Sequence, residues 1–222
     1  MLDIFDILGP VMVGPSSSHT AGAVRIGRMA RTLLGEAPVR AKIGLYGSFD
    51  ETGRGHGTDR ALIAGLLDMR PDNLDIPNSF EIAKEQGLEF EFYTARLREA
   101  HPNTAVLEVE GVTGKHLSMR AASTGGGRIR VDHLNGVDVC FTGMFNTLII
   151  RHQDIAGEVA TVTQLLAVVK INIANMSLCR DRRGGDALMV IETDEKIPPV
   201  AASTPVTAPP SVSILTASSC FR

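Results

Sequence analysis

A run of hydroxyl and imidazole side chains near the amino terminus could bind a small molecule or move protons. The run comprises Ser16, Ser17, Ser18, His19 and Thr20. Apolar residues recur at helical spacing from Ala23 to Leu34, so the run lies where a helix begins. Hydroxyls cap such starts, and the free amides and positive dipole end there attract a carboxylate. One serine suffices as a cap, so the run favours an anion site; a capped helix without a ligand is the alternative.

A glycine-rich segment carries a second histidine. Four glycines fall within residues 47–57, and His56 comes just before a predicted helix that Thr58 or Asp59 would cap. Glycine lets a backbone approach a ligand closely. His19 and His56 therefore each stand at a helix start, and the two could face one pocket. A structural or exposed histidine in a loop is the alternative for His56.

Residues 14–20, Gly-Pro-Ser-Ser-Ser-His-Thr, resemble the signature of the iron–sulfur-dependent L-serine dehydratases. The chain is similar to their separate beta subunit from Phe5 to about Pro198. Three further motifs support the resemblance: Gly55-His56-Gly57-Thr58-Asp59, His101-Pro102-Asn103-Thr104 and Ser123-Thr124-Gly125-Gly126-Gly127. Each motif alone is weak, but the four in this order are specific.

The resemblance implies a reaction and a division of labour. L-serine would lose water and ammonia to give pyruvate, with a 4Fe–4S cluster ligated by the alpha chain acting on the hydroxyl as a Lewis acid. This chain would position the substrate, with His19 and His56 as the catalytic candidates. The substrate-binding candidates are Ser16, Ser17, Ser18, Thr20, Asn103, Ser123, Gly125 and Gly126. The general base stays unassigned, since it could belong to the other chain.

The cysteines fit a chain that holds no cluster of its own. Cys140, Cys179 and Cys220 are widely separated, whereas cluster ligands are commonly grouped in sequence. We therefore predict no metal ligand in this chain. Cys140 and Cys179 lie in apolar, strand-like stretches and are predicted to be buried packing residues. The lack of a paired cysteine framework favours a reducing, cytoplasmic location.

Composition excludes several classes of protein. The chain has 222 residues, 44% hydrophobic and 21% charged, which predicts a soluble protein of one or two domains. Its net charge of −3 offers no basic surplus for nucleic acid. No apolar run approaches the roughly 20 residues of a membrane span. Asp3 and Asp6 stand where a signal peptide would be basic, so no such leader is expected.

The fold class is predicted to be α+β, and the first domain to cover residues 1–145. Two helices are followed by strands whose apolar residues alternate. The resemblance identifies this part as a serine dehydratase beta-chain domain, similar to allosteric-substrate-binding domains. Along the first helix Arg25, Arg28 and Arg31 recur every third residue. They form either a solvated face or a docking stripe for an acidic partner or a carboxylate.

A second domain is predicted over residues 146–215. Its strand–helix–strand–strand order resembles an ACT domain, the small ferredoxin-like module that binds amino acids. Asp154 and Gly157 match that family's ligand-loop pattern, although a dimerisation platform without a ligand is the alternative. Five prolines between positions 198 and 210 argue against the second ACT helix. Residues 211–215 could still form a fourth, edge strand, and the Pro/Ser/Ala-rich tail over 197–222 is predicted to be partly disordered.

The partners implied are the alpha subunit of L-serine dehydratase and L-serine, in a hetero-oligomer with ACT-mediated dimerisation. No nucleic acid or membrane partner is expected. A non-catalytic, amino-acid-sensing regulatory subunit is the alternative function. A self-sufficient Ser-His-Asp hydrolase is disfavoured, because adjacent Ser18 and His19 do not readily make that geometry and no Gly-x-Ser-x-Gly elbow is present.

Overall fold

A computed structural model describes residues 12–196 and 213–217. The chain divides after Asn135 into two compact units. The predicted domain ranges, 1–145 and 146–215, place this boundary later and stay predictions. In the part of the chain that the structure describes, no helix is long and apolar enough to cross a membrane.

The first unit combines short helices with one sheet. The helices are α1 (Gly22–Leu34), α2 (Ser48–Glu51), α3 (Gly53–His56), α4 (Thr58–Leu66) and α5 (Ser79–Glu85). The strands are β1 (Pro38–Tyr46), β2 (Glu89–Thr94), β3 (Thr104–Gly111), β4 (His116–Gly125) and β5 (Arg128–Leu134). A single π-helical turn, Ser17–Ala21, runs directly into α1, and a 3-10 turn covers Ile76–Asn78.

The strands of the first unit lie in the order β2-β1-β3-β4-β5. Only β1 and β2 among them run parallel. Helix α1 packs on β3 and β4, and α4 packs on α1. Alternate residues of β1 face the two sides, so Ala41 and Ile43 are buried while Arg40 and Lys42 are exposed. One face of the sheet thus carries the core and the other is charged.

Two glycines let α1 and α4 cross with their backbones in contact. A Cβ atom at Gly27 would lie 2.2 Å from the carbonyl oxygen of Leu62. One at Gly65 would lie 2.1 Å from the carbonyl oxygen of Val24. Neither distance is possible for a real side chain, so the crossing depends on both glycines. The turn Ser17–Ala21 contacts both α3 and α4.

The second unit is built on a four-stranded antiparallel sheet. Its elements are β6 (Val137–Phe141), β7 (Asn146–Gln153), α6 (Glu158–Val168), β8 (Ile173–Arg180), β9 (Asp186–Thr193) and β10 (Ser213–Ala217). The sheet order is β10-β7-β9-β8. On one face, Leu166 of α6 joins Leu148, Ile150, Met189 and Ile191 in a core.

Several predicted elements are confirmed. Helix α1 ends where expected, because Gly35 adopts the left-handed conformation of a helix stop at φ 75°. Strands β1 to β5 follow the alternating patterns, and β10 is the edge strand expected near residues 211–215. The proline-rich part of the tail and its last five residues lie outside the described residues.

Other predictions are wrong. Residues 47–57 are not a loop, since the buried ring of Phe49 anchors α2 and α3 there. Gly57, rather than Thr58 or Asp59, occupies the cap position of α4. Cys140 is exposed, because it lies on the outward side of β6 while its neighbour Phe141 points inward. Cys179 is only half-buried, because it lies in β8, at the edge of its sheet.

The helix crossing gives a stability prediction. Gly65→Ala forces a methyl group against backbone atoms, so we expect the free energy of unfolding to fall by about 1–3 kcal/mol despite the better helix propensity of alanine. Gly55→Ala is the matched control, because a Cβ there meets no atom within 4 Å. Urea denaturation of the three proteins measures the difference. Equal stability of Gly65→Ala and the parent would contradict the packing described.

Candidate functional site

The serine run begins with a helix cap. Ser16 Oγ accepts the backbone N–H of His19 at 3.2 Å, and the Ser16 carbonyl accepts that of Thr20 at 2.8 Å. This confirms capping by one serine of the run. The hydroxyl of Ser17 makes no hydrogen bond to any described residue. The run therefore holds more hydroxyls than its cap uses.

His19 is held through both ring nitrogens. The side chain is only 8% exposed. Its Nδ1 lies 3.1 Å from Ser18 Oγ and 3.4 Å from Ser16 Oγ. Its Nε2 lies 3.1 Å from Ser48 Oγ and 3.2 Å from Thr52 Oγ1. Four hydroxyls thus surround one buried imidazole. Ser18 and His19 are adjacent in sequence, and their side chains nevertheless contact each other.

Burial keeps the His19 ring neutral. It lowers the pKa of His19 because the charged form loses water; a hydrogen bond with the Ser48 backbone opposes the shift, and the nearby His56 adds to it. The ring of Phe49 packs against the imidazole edge at 5.3 Å between centroids. The site therefore offers neutral hydrogen-bonding groups at physiological pH.

His56 lies beside His19, as the sequence predicts for two histidines at helix starts. The ring centroids are 4.9 Å apart, and His56 is exposed. Its Nδ1 lies 3.1 Å from the carbonyl oxygen of Thr52. A carbonyl can only accept, so Nδ1 carries the proton in the neutral ring and Nε2 has a free lone pair. His56 thus presents a basic nitrogen next to the π-helical turn Ser17–Ala21 and its cap Ser16, which together we call the serine turn.

Ser123 and Asn103 approach the turn from the sheet. Ser123 is fully buried and donates its backbone N–H to the Asn103 carbonyl at 2.9 Å. A Cβ at Gly22 would lie 2.0 Å from Ser123 Oγ, so only glycine fits at the start of α1. The adjacent Pro102 carbonyl accepts the backbone N–H of Phe49 at 3.4 Å. Four motifs that are distant in sequence therefore converge on one place.

Two buried hydroxyls at this place lack partners. Thr20 Oγ1 and Ser123 Oγ have no hydrogen bond to any described residue, although both side chains are at least 98% buried. Buried hydroxyls normally have a partner. These two leave hydrogen-bonding capacity unused within the cluster.

The remaining glycine candidates form a turn rather than a contact surface. Gly125 and Gly126 adopt φ values of 96° and 58° between β4 and β5. The guanidinium of Arg25 donates to the carbonyl of Gly127 and so ties this turn to α1. Arg28 pairs with Asp68 at 3.2 Å. Arg25 and Arg28 therefore make contacts within the unit instead of forming a solvated stripe.

Sequence reasoning missed Ser48 and Thr52. Both lie in the segment taken for a glycine-rich loop. Their spacing of four residues places them on one side of a helical turn, a signal that the surrounding glycines hide. Their hydroxyls complete the pairing of His19.

Asp154 has a structural partner set in the second unit. One carboxylate oxygen accepts the Gly184 N–H at 3.0 Å and a guanidinium N–H of Arg180 at 2.7 Å. These contacts lower the pKa of Asp154, the Gly184 hydrogen bond most strongly. Gly157, at φ 103°, stands at the cap position of α6 without a side-chain cap. Asp154 thereby fastens the turn between β8 and β9.

A family model described as "Serine dehydratase beta chain" matches residues 1–133. The "Probable L-serine dehydratase, beta chain" of Bacillus subtilis (strain 168) is 44% identical over 194 residues, covering 87% of this chain and 88% of that protein. The "L-serine dehydratase, beta chain" of Peptoniphilus asaccharolyticus is 34% identical and covers 87% of each. The D-3-phosphoglycerate dehydrogenase of Bacillus subtilis (strain 168) is 27% identical over 62% of this chain and 26% of its own length.

The lowered pKa of His19 predicts a pH-dependent stability. In the unfolded chain a histidine gains its proton near pH 6.5. In the folded chain His19 stays neutral until the pH falls to its lower pKa. The contribution to stability is therefore complete above about pH 6.5 and is lost as pH falls from there towards the native pKa.

We expect the difference in free energy of unfolding between the parent and His19→Gln to decrease below about pH 6.5. Urea denaturation between about pH 8 and pH 5.5 measures it. His116→Gln, at an exposed strand end, is the control histidine. A parent–variant difference that stays constant across this range would contradict the argument.

Proposed function

The chain belongs to the serine dehydratase beta-chain family and is the beta chain of an L-serine dehydratase, and we propose that its serine turn and two histidines form this chain's share of the active site. The observation that carries the proposal is the convergence of four separate motifs around the turn Ser17–Ala21 and the start of α1. The turn, His56, the loop at Asn103 and the end of β4 at Ser123 all meet there.

The turn holds the substrate carboxylate. L-serine carries a carboxylate, and the start of the turn Ser17–Ala21 offers backbone amides, the positive end of the helix dipole and unused hydroxyls. Ser17 supplies a hydroxyl that has no hydrogen-bond partner among the described residues. Thr20 supplies a second unpartnered hydroxyl, which is buried. Ser16, Ser18, Asn103, Ser123, Gly125 and Gly126 complete the proposed substrate-binding set.

His56 acts as the general base of the reaction. The α-hydrogen of L-serine is weakly acidic, so its removal needs a base placed beside the bound substrate. The exposed Nε2 of His56 takes this proton as the β-hydroxyl departs, and the resulting aminoacrylate tautomerises and hydrolyses to pyruvate and ammonia. His19 stays neutral and orients the serine turn, because both of its nitrogens are already paired.

The 4Fe–4S cluster belongs to the alpha chain in this proposal. The described residues contain no group of three His, Cys, Asp or Glu side chains that could hold a metal ion. Cys140 and Cys179 are far apart in sequence and both lie in the second unit. The described residues therefore do not fit such a cluster.

We further propose that the first unit is allosteric-substrate-binding-like and that the second is a ferredoxin-like ACT domain. The order β10-β7-β9-β8, with α6 after β7, is that of a split βαβ unit. Leu178 of the edge strand β8 is 47% exposed, and Leu165, Val168 and Val169 at the end of α6 are exposed as well. These exposed apolar residues favour ACT-mediated dimerisation. Ligand binding at Asp154 and Gly157 is the weaker proposal, because Asp154 is already paired with Arg180 and Gly184.

Co-expression with the alpha chain followed by an anaerobic pyruvate assay tests the function. We expect the purified complex to convert L-serine and this chain alone to be inactive and without iron–sulfur absorption. Serine binding without turnover by the complex would instead favour a sensing subunit. Turnover by this chain alone would contradict the division of labour.

The serine turn gives a kinetic prediction. In the assembled enzyme Ser17→Ala removes a hydrogen bond to the charged carboxylate, worth roughly 1.5–3 kcal/mol, so KM should rise about ten- to a hundredfold. Its stability should not change, because the hydroxyl has no partner among the described residues. Steady-state kinetics and thermal melting measure both quantities. Ser118→Ala, on β4 away from the turn, is the matched control.

His56 gives a second kinetic prediction. His56→Gln keeps a polar side chain but removes the base, so kcat should fall by about a hundred- to ten-thousandfold. Ser16→Ala loses the cap instead, which costs about 1 kcal/mol of stability. Unchanged kinetics in both Ser17→Ala and His56→Gln would exclude substrate chemistry at this cluster.

A further inference from the structure

Thr52 contacts both histidine rings. It follows α2 at the cap position. Its carbonyl accepts from His56 Nδ1 at 3.1 Å, and its Oγ1 lies 3.2 Å from His19 Nε2. The same hydroxyl donates to the carbonyl of Ser48 at 2.8 Å. Backbone and side chain of one residue thus engage different rings.

Counting protons assigns the His19 tautomer. A threonine hydroxyl has one hydrogen, and the Ser48 carbonyl, which can only accept, takes it over the shorter distance. Thr52 Oγ1 can then only accept from His19, so the proton of the neutral ring lies on Nε2. The unprotonated Nδ1 in turn accepts the hydroxyl of Ser18 at 3.1 Å.

The two rings therefore carry their protons on opposite nitrogens. His19 is protonated at Nε2, and His56 is protonated at Nδ1 because the Thr52 carbonyl requires it. We propose that Thr52 is a positioning residue that sets these opposite tautomers and so leaves His56 Nε2 free as a base. The assignment of the tautomers does not depend on the proposed function; the role of His56 Nε2 as a base rests on it.

Ser48 defines the competing arrangement. Its Oγ lies 3.1 Å from His19 Nε2 and 3.3 Å from Thr52 Oγ1. Were the Ser48 hydroxyl to donate to Nε2, the proton of His19 would move to Nδ1 and Ser18 would accept it. The two arrangements differ in which ring nitrogen of His19, Nε2 or Nδ1, carries the proton.

Long-range ¹⁵N–¹H correlation spectra of the full-length, labelled chain distinguish the arrangements, with His19→Gln and His56→Gln assigning the signals. We expect an Nε2-protonated His19 and an Nδ1-protonated His56 above pH 7. Thr52→Val should shift His19 towards the other tautomer and leave His56 unchanged, since its partner is backbone. Thr52→Ser should restore the parent spectrum. The control Thr94→Val removes a hydroxyl that bonds Asp50 and touches neither ring.

In the complex with the alpha chain, Thr52→Val should lower kcat roughly two- to tenfold with little change in KM, the scale of one neutral hydrogen bond. Thr52→Ser and Thr94→Val should keep the parent values. An Nδ1-protonated His19 in the parent, or an unchanged His19 in Thr52→Val, would overturn the proposal. If the tautomers are as expected while His56→Gln retains activity, the positioning by Thr52 stands and the proposed role of His56 fails.

Discussion

The site depends on the hydrogen bonding of one buried imidazole. Burying a polar ring without hydrogen-bond partners lowers the stability of the fold by about several kcal/mol, because its nitrogens lose their hydrogen bonds to water. His19 meets this requirement with hydroxyls from two separate stretches: Ser16 and Ser18 at its own turn, and Ser48 and Thr52 at the start and the C-terminal cap of α2. The need for partners therefore fixes the distance between the serine turn and α2. Because α2 leads into α3, it also places His56 beside the turn.

Close backbone packing lets the other motifs reach this ring. Gly22 touches Ser123, Gly47 meets the carbonyl of Pro102, and Gly14 leaves room for the side chain of Thr20. At each position a methyl group would lie within 3 Å of another atom. Such contacts also occur on the charged outer face of the sheet, where Gly44 of β1 lies against the ring of Tyr93. Close glycine packing is thus a general feature of the first unit, and at Gly14, Gly22 and Gly47 it brings together the motifs of the proposed site.

The sequence predicts the parts of the site that follow local rules. A cap followed by helical spacing locates the serine turn, and alternation locates strands β1 to β5. It does not predict the arrangement that depends on tertiary contacts. Glycines at 53, 55 and 57 suggest a loop, but burial of Phe49 overrides that local preference and forms α2, which brings Ser48 and Thr52 to His19. Exposure of Cys140 likewise depends on which face of β6 is covered.

The contact between Gly22 and Ser123 has a consequence for how this family can vary. The two residues are 101 positions apart in sequence, yet the space occupied by one is defined by the other. Alanine at position 22 fits only with a smaller neighbour, so it requires glycine at 123 and the loss of a buried hydroxyl. Substitutions at these positions should therefore occur in pairs among related chains. The size of residue 123 near the end of β4 thus limits which residue can stand at position 22, at the start of α1.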